Sequence, residues 1–251
     1  MTIDAPQDIH IPALRQLWKQ AFGDSDAFLD GFFSTGYAPE RCRILALDGR
    51  LAAALYWFDC EWDGHRLAYL YAVATDKAFQ GQGFCRALME DTHRHLRDLD
   101  YDGVVLVPGS DNLFRLYEKL GYRTCSTVRE FSCPAATEPV ALRMLSTDEY
   151  AALRRRFLPL GGIIQEKETL VFLQTFADFY AGDNLLLAAY RDGAQLIVSE
   201  LLGDIHAAGS IVKALGCSDG RFRTPGIGKP FAMFRPLSDC PAPSYFGLAL
   251  D

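Results

Sequence analysis

The sequence predicts a mixed α/β (α+β) fold: a mostly antiparallel sheet flanked by helices, with a second, smaller α/β half packed beside it. Three observations predict it. Apolar residues recur at spacings of three and four up to residue 33; strand-like runs are joined by Asp-Gly turns at 48–49, 63–64 and 192–193; and a glycine-containing turn at 80–83 runs directly into an apolar-striped helix.

The first helix is expected where Ile9, Leu14, Leu17, Trp18 and Ala21 share one side, with Asp8 as its cap. A short helix from Ser25 to Phe33 comes next, with Phe28, Leu29, Phe32 and Phe33 on one face. Arg43 to Leu47 and Leu51 to Phe58 read as strands joined at Asp48-Gly49, and Arg66 to Ala74 as a third strand after Asp63-Gly64. Phe84 to Leu99 reads as a helix with Phe84, Leu88, Leu96 and Leu99 as its buried stripe. Val104 to Val107 has the unbroken apolar character of a strand covered on both faces. Asn112 to Leu120 is a helix stopped by Gly121, and Tyr122 to Phe131 returns as a strand.

Between Pro134 and Pro139 the residues become small and linker-like, which places a domain boundary there and divides the chain into residues 1–137 and 138–251. The second half echoes the first. Ala152-Leu153-Arg154 matches Ala13-Leu14-Arg15, Leu170 to Phe179 matches the aromatic helix at Phe28 to Phe33, and the runs on either side of Asp192-Gly193 match the hairpin at Asp48-Gly49. Ile205 to Leu215 then stands for the helix at 84–99, with a strand from Gly228 to Leu237 after it.

Composition narrows the function. The chain has 251 residues, 49% hydrophobic, with 25 Lys and Arg against 32 Asp and Glu, a net charge of −7. Nucleic-acid binding through phosphates needs a clustered basic surface, and an acidic chain is poorly suited to it. The longest apolar runs, Leu51 to Phe58 and Leu67 to Ala74, are 8 residues each, far short of the roughly 20 that span a membrane. Asp4, Asp8 and Pro12 stand where a signal peptide would be basic and apolar. Seven scattered cysteines form no CxxC pair and no zinc-ligand spacing, so free thiols in a reducing cytoplasm, and no metal, are expected.

The informative segment is Val73 to Cys85. A strand ends, a turn containing Gly81 and Gly83 comes after it, and a helix starts at once. Such a junction gathers free backbone N–H groups and the positive end of a helix dipole, the arrangement that holds a phosphate or pyrophosphate. Because the donors are amides, an acidic protein can bind an anion in this way. The segment lacks both the Lys-Ser/Thr ending of a P-loop and the Gly-x-Gly-x-x-Gly spacing of a dinucleotide fold.

Gln80-Gly81-Gln82-Gly83-Phe84-Cys85-Arg86-Ala87-Leu88 resembles the pyrophosphate loop of the GNAT superfamily of acyl-CoA N-acyltransferases, Arg/Gln-x-x-Gly-x-Gly/Ala. About thirty residues on, Asn112-Leu-Phe-Arg-Leu-Tyr117-Glu-Lys-Leu-Gly121-Tyr122 is similar to that family's second signature. The resemblance covers roughly the first half of the chain, and departs from the family in having Gln80 for the commoner Arg and Cys85 for Gly or Ala. It implies acetyl-CoA as co-substrate. The strand end Val73-Ala74-Thr75 would receive the pantetheine arm along a splayed edge and support the oxyanion. The amides of Gln80, Gly81, Gln82, Gly83, Phe84 and Cys85 would hold the pyrophosphate, Asn112 would touch the cofactor arm, and Tyr117 would protonate the departing thiolate. Phenol and thiol have pKa values within about two units of each other, which suits that transfer.

Each position also has a plainer use. Tyr117 suits packing beside Leu113 and Phe114, Asn112 suits a helix cap, and Cys85 reads as a small-residue substitute rather than a nucleophile. His93 and His95 point in different directions on their helix and are expected in solvent. Where some branches of the family carry a glutamate as general base this sequence has Leu67; Asp59, Glu61 and Tyr69 lie close in sequence and are left as alternatives, acting directly or through water.

The C-terminal half has no second loop. Asp204 would repel a pyrophosphate where the echo places one, and Thr224 to Pro230 reads as a strand connection. As a degenerate GNAT-like half it would wall the acceptor site. The apolar end Tyr245 to Leu250 should be docked, and a reach of the Asp251 carboxylate into the site stays open. The expected activity is N-acetyl transfer from acetyl-CoA to a small-molecule or peptide amine, with neither nucleic acid nor membrane as partner. The alternative is an acyl-CoA-binding sensor or scaffold that does not catalyse. Nothing in the sequence speaks to oligomeric state.

Overall fold

The computed structural model describes residues 1–250, so the question of the Asp251 carboxylate lies outside the described residues. The chain forms two compact units, Met1–Arg123 with Phe234–Ala242 and Thr124–Met233 with Pro243–Asp251.

In the first unit the sheet runs β1 (Thr2–Asp4), β2 (Cys42–Leu47), β3 (Arg50–Trp62), β4 (His65–Thr75) and β5 (Gly103–Leu106), in that order. The first four are antiparallel and β5 is parallel to β4. Asp48-Gly49 and Asp63-Gly64 make the two hairpin turns with positive φ at both residues, as two-residue hairpin loops require. Helix α1 (Ile11–Phe22) has Pro12 in its first turn and ends at left-handed Gly23. It buries Leu14, Leu17 and Trp18, each contributing about 1.5–3 kcal/mol by leaving water. Asp8 and Ile9 precede it in a 3-10 turn, which leaves Ile9 exposed and Asp8 outside the cap position. Ser25 caps α2 (Asp26–Gly31) by accepting from the Phe28 N–H. Helix α3 (Phe84–Asp98) buries Leu88, Met89, Thr92, His93 and Leu96; Leu99, beyond its end, is exposed. Helix α4 covers Asp111–Glu118.

The second unit begins with β6 (Arg123–Pro134), followed by β7 (Arg143–Met144), α5 (Thr147–Phe157), β8 (Ile164–Gln165) and α6 (Glu168–Leu173). Strands β9 (Asp178–Gly182), β10 (Leu185–Asp192) and β11 (Gln195–Gly203), helix α7 (Ala208–Ala214), β12 (Asp219–Pro225) and the first part of β13 (Lys229–Pro236) complete it; from Phe234 on, β13 belongs to the first unit. Leu170 to Phe179, expected as one helix, is instead a helix that ends at Leu173 and a strand that starts at Asp178.

The crossing between units falls at Arg123–Thr124 and not in the small-residue stretch 134–139. Strand β6 is laddered to β12 from Val128↔Pro225 to Pro134↔Asp219, so its hydrogen bonds assign it to the second unit. The stretch after it is small because it runs against a helix start: Ala136 donates its N–H to the Gly209 carbonyl, and a side chain at Gly209 would meet Pro134 and Ala136. Within the second unit β10 and β11 form a hairpin, α7 comes next, and β12 lies parallel to β11. That order is the order of β3, β4, α3 and β5, so the hairpin at Asp192-Gly193 corresponds by topology to Asp63-Gly64, one hairpin later than expected.

Candidate active site

The site is built where β4 leaves the sheet. Its pairing with β5 covers only Leu67↔Gly103, Ala68↔Val104 and Tyr69↔Val105, so from Leu70 to Thr75 the strand edge on that side has no partner in β5. On its other side the ladder to β3 breaks between Tyr56↔Tyr71 and Ala54↔Ala74, where Ala72 and Val73 stand opposite the single residue Leu55. This bulge holds Ala72 at φ 49°, a left-handed conformation that costs a non-glycine residue about 1–2 kcal/mol. The sequence carries no glycine to announce it.

Past Thr75 the chain makes a 3-10 turn, Lys77–Phe79, whose N–H at Ala78 is capped by Asp76. Two glutamines brace the glycine turn: Gln80 Nε2 donates to the Thr75 carbonyl at 3.1 Å and Gln82 Nε2 to the Ala78 carbonyl at 3.1 Å. Gly81 and Gly83 both take positive φ, 74° and 85°, and a side chain at either would project into open space. The first-turn N–H groups of α3, at Phe84, Cys85 and Arg86, have no carbonyl a turn earlier inside the helix. Open glycine backbone beside free helix-start amides fits a diphosphate group. The Thr75 hydroxyl is sealed from water without a hydrogen-bond partner, an unmet polar group at the same strand end.

Tyr117, on α4, is 6% exposed and stacks edge-on against Tyr122, ring centroids 5.7 Å apart. Burial and then the neighbouring Cys85 thiol push its pKa up, so the phenol keeps its proton at neutral pH. Its hydroxyl makes no hydrogen bond to any described residue. Burial also pushes the Cys85 thiol up, which disfavours the thiolate a nucleophile needs. Asn112 is exposed in the first turn of α4 and accepts from Arg115 at 2.5 Å; Ser110 occupies the cap position, so Asn112 does not cap.

The alternatives for a base separate by register. Asp59 faces Ala68 and Glu61 faces Arg66, and Ala68 lies seven residues from Thr75, roughly 23 Å along the strand. Asp59 accepts from the Tyr101 hydroxyl with Arg66 beside it, and Leu67 is fully buried. Tyr69 is buried among the rings of Phe58 and Tyr71.

His93 is buried, contrary to the solvent position expected for it. Its Nε2 lies 2.7 Å from the Tyr122 hydroxyl and its Nδ1 2.8 Å from the Arg235 guanidinium. The signal was available, because His93 is four residues after Met89 and three before Leu96, on the buried stripe.

At Gly203 to His206, where the echo in the sequence would put a second loop, the backbone is close-packed. A side chain at Gly203 would strike the Asn184 carbonyl, and the Asp204 carboxylate accepts from the His206 N–H. All seven cysteines are free, and among the described residues no group of three His, Cys, Asp or Glu side chains is placed to hold a metal. Among them, too, no helix is long and apolar enough to cross a membrane.

Comparison with known proteins gives the class first. Residues 2–125 match the family model described as Acetyltransferase (GNAT) domain, and this part of the chain belongs to that family. Among curated proteins it is similar to a mycothiol acetyltransferase of Propionibacterium freudenreichii subsp. shermanii, 28% identical over 51% of this chain and 49% of the relative, so the match spans about half the relative's length. Among solved structures, the GCN5-related N-acetyltransferase of Anabaena variabilis superposes with a TM-score of 0.73 at 17% identity, over 95% of this chain and 73% of that one. Eis1 of Mycobacterium abscessus gives 0.66 at 13% identity, over 94% and 74%. At these identities the structural likeness establishes the fold, a mixed α/β architecture with a mostly antiparallel sheet flanked by helices.

Proposed function

We propose that the chain is an acetyl-CoA-dependent N-acetyltransferase acting on a primary amine of a small molecule or peptide by direct attack. The observation that carries this reading is the β4 edge beyond its pairing with β5, leading into two left-handed glycines and the first turn of α3, with a buried, protonated Tyr117 next to Cys85 of that turn. The family of residues 2–125 and the name of the curated relative support acetyl as the transferred group.

Acetyl-CoA supplies the activated thioester. On this reading the edge groups of Val73, Ala74 and Thr75 align its arm, and the amides of residues 80–85 hold its diphosphate. Asn112 gives its side chain to the same arm. Amides released from the ladder at the Ala72–Val73 bulge polarise the carbonyl under attack. The neutral amine attacks the thioester carbonyl. As the new C–N bond forms and the C–S bond breaks, the attacking nitrogen loses its extra proton to water and Tyr117 donates its proton to the departing sulfur. The resulting phenolate regains a proton from solvent, leaving an amide and a free thiol.

The test supplies acetyl-CoA with a panel of amines and follows thiol release, for the unmodified protein and for Tyr117→Phe. Turnover that collapses in the variant supports the proposal. Tight binding of CoA with no turnover on any amine would instead favour a sensor or scaffold, and failure to bind CoA removes both.

A further inference from the structure

We propose that the cavity between the C-terminal half of α3 and the turn that follows α4 is a binding site for a small phosphorylated ligand, separate from the loop at residues 80–85. The cavity measures about 430 Å³ and is lined by Arg94, Arg97, Lys119, Arg235 and His93, with Glu90 the one acidic side chain in its wall. Residues 1–137 carry 14 basic against 19 acidic side chains, so this gathering of cations runs against the local surplus. Arg94 lies ten residues beyond Phe84, roughly 15 Å along the helix from the glycine loop.

Three of the four cations lack a counter-ion among the described residues, and the fourth shares one. Among the described residues, Arg97, Lys119 and Arg235 have no carboxylate within 4.0 Å. Arg94 reaches only Asp91, at 3.3 Å, and the other oxygen of Asp91 is taken by Arg43 at 2.6 Å. Basic side chains at helix C-termini complement the helix dipole, which accounts for Arg97 and Lys119. It does not account for Arg235, which comes from the last residues of β13. This half-buried guanidinium spends one nitrogen on two neutral acceptors, His93 Nδ1 at 2.8 Å and the Leu120 carbonyl at 2.5 Å. A charge removed from water without an opposite charge is costly, and an external anion would relieve it.

The ligand class is set by the donors and the space. Guanidinium forks pair with phosphate through two parallel hydrogen bonds, and the volume is that of a small-molecule site. A nucleic-acid backbone would need a basic stripe continuing beyond the cavity, whereas Glu90 sits in this wall and the chain is acidic overall.

The proposal does not rest on acetyl transfer. The test titrates inorganic pyrophosphate into the isotope-labelled full chain at constant ionic strength, first saturated with CoA so that the glycine loop is occupied, and follows amide resonances. Saturable shifts at His93, Leu120 and Gly121 are expected, with Gly81 and Gly83 unmoved. Arg97→Gln with Lys119→Gln, both at exposed positions, should weaken the binding about tenfold or more. Shifts confined to residues 80–85, shifts that never saturate, or binding of a heparin fragment with no response to pyrophosphate would each overturn it.

Discussion

His93 and Tyr122 are joined by a 2.7 Å hydrogen bond whose direction is settled by a third residue. Arg235 is always a donor, so Nδ1 of His93 must accept, and Nε2 therefore carries the proton it gives to the Tyr122 hydroxyl. The imidazole is neutral. Burial first, and then the Arg235 charge, lowers its pKa from 6.5 to about 3.

A histidine held neutral in this way weakens the fold in acid. Between the two pKa values the unfolded chain binds a proton that folded His93 refuses, so its contribution to stability is present above 6.5 and is lost as pH falls toward 3. The slope approaches about 1.4 kcal/mol per pH unit within that window. Urea unfolding between pH 7 and pH 5 should show a falling midpoint in the unmodified protein and a flatter one in His93→Gln. His95 is also lowered by burial and adds in the same direction, so His95→Gln is the companion measurement. Equal slopes in all three proteins would contradict the assignment.

Tyr117→Phe separates chemistry from packing. The hydroxyl has no hydrogen-bond partner among the described residues, so its removal leaves no orphan and stability should change by less than about 0.5 kcal/mol. The ring still packs against Tyr122. Loss of a general acid, by contrast, should lower kcat by about 100-fold with little effect on KM for acetyl-CoA. A variant with unaltered kcat would remove Tyr117 from the reaction.

How far the sequence carried the site depends on how local each signal is. The turn at Gly81 and Gly83, the helix after it and the α4 signature are written in consecutive residues, and the structure puts left-handed glycines where the pattern required them. The bulge at Ala72 is not local. Alanine has no preference for positive φ, and the conformation is imposed by the ladder to β3 on either side. Strand β12 was missed although Gly220, Phe222 and Thr224 alternate as buried residues, because charged Arg221 and Arg223 between them hide the period of two. The return of Phe234–Ala242 to the first unit has no sequence signature at all. What records it is a space: a side chain at Gly103 would overlap the Phe234 ring, so glycine at the start of β5 is the imprint of a residue 131 positions later.

The glycine loop predicts a binding phenotype. Gly81→Ala and Gly83→Ala meet no steric neighbour, so their whole cost is the left-handed backbone, about 1–2 kcal/mol each. If the loop amides hold the diphosphate, that strain shifts the loop away from its binding conformation. The Kd for CoA should then rise about tenfold, with global unfolding changed by no more than the same small energy. Isothermal titration with CoA reads the first and urea denaturation the second. Unchanged affinity in both variants would detach the loop from the cofactor.

The second unit is held by a buried ion pair whose disruption should be severe. Arg154 Nε and Nη2 lie 2.6 and 2.9 Å from the two Glu200 oxygens, and Nη1 donates to the Ile163 carbonyl. Tyr245 donates to Glu200 as well, at 2.9 Å, which ties the chain's apolar end into the network; Phe246 and Leu248 are fully buried beside it. Glu200→Gln leaves the Arg154 guanidinium buried without its counter-charge, a loss of about 3–5 kcal/mol. Replacing both by apolar residues, Arg154→Met with Glu200→Leu, strands the Tyr245 and Tyr150 hydroxyls and the Ile163 carbonyl but no charge, and should recover part of that loss. Urea denaturation of the three variants decides it: a double variant no more stable than Glu200→Gln would mean that the hydrogen bonds to Tyr245 and Ile163, rather than charge pairing, carry the network.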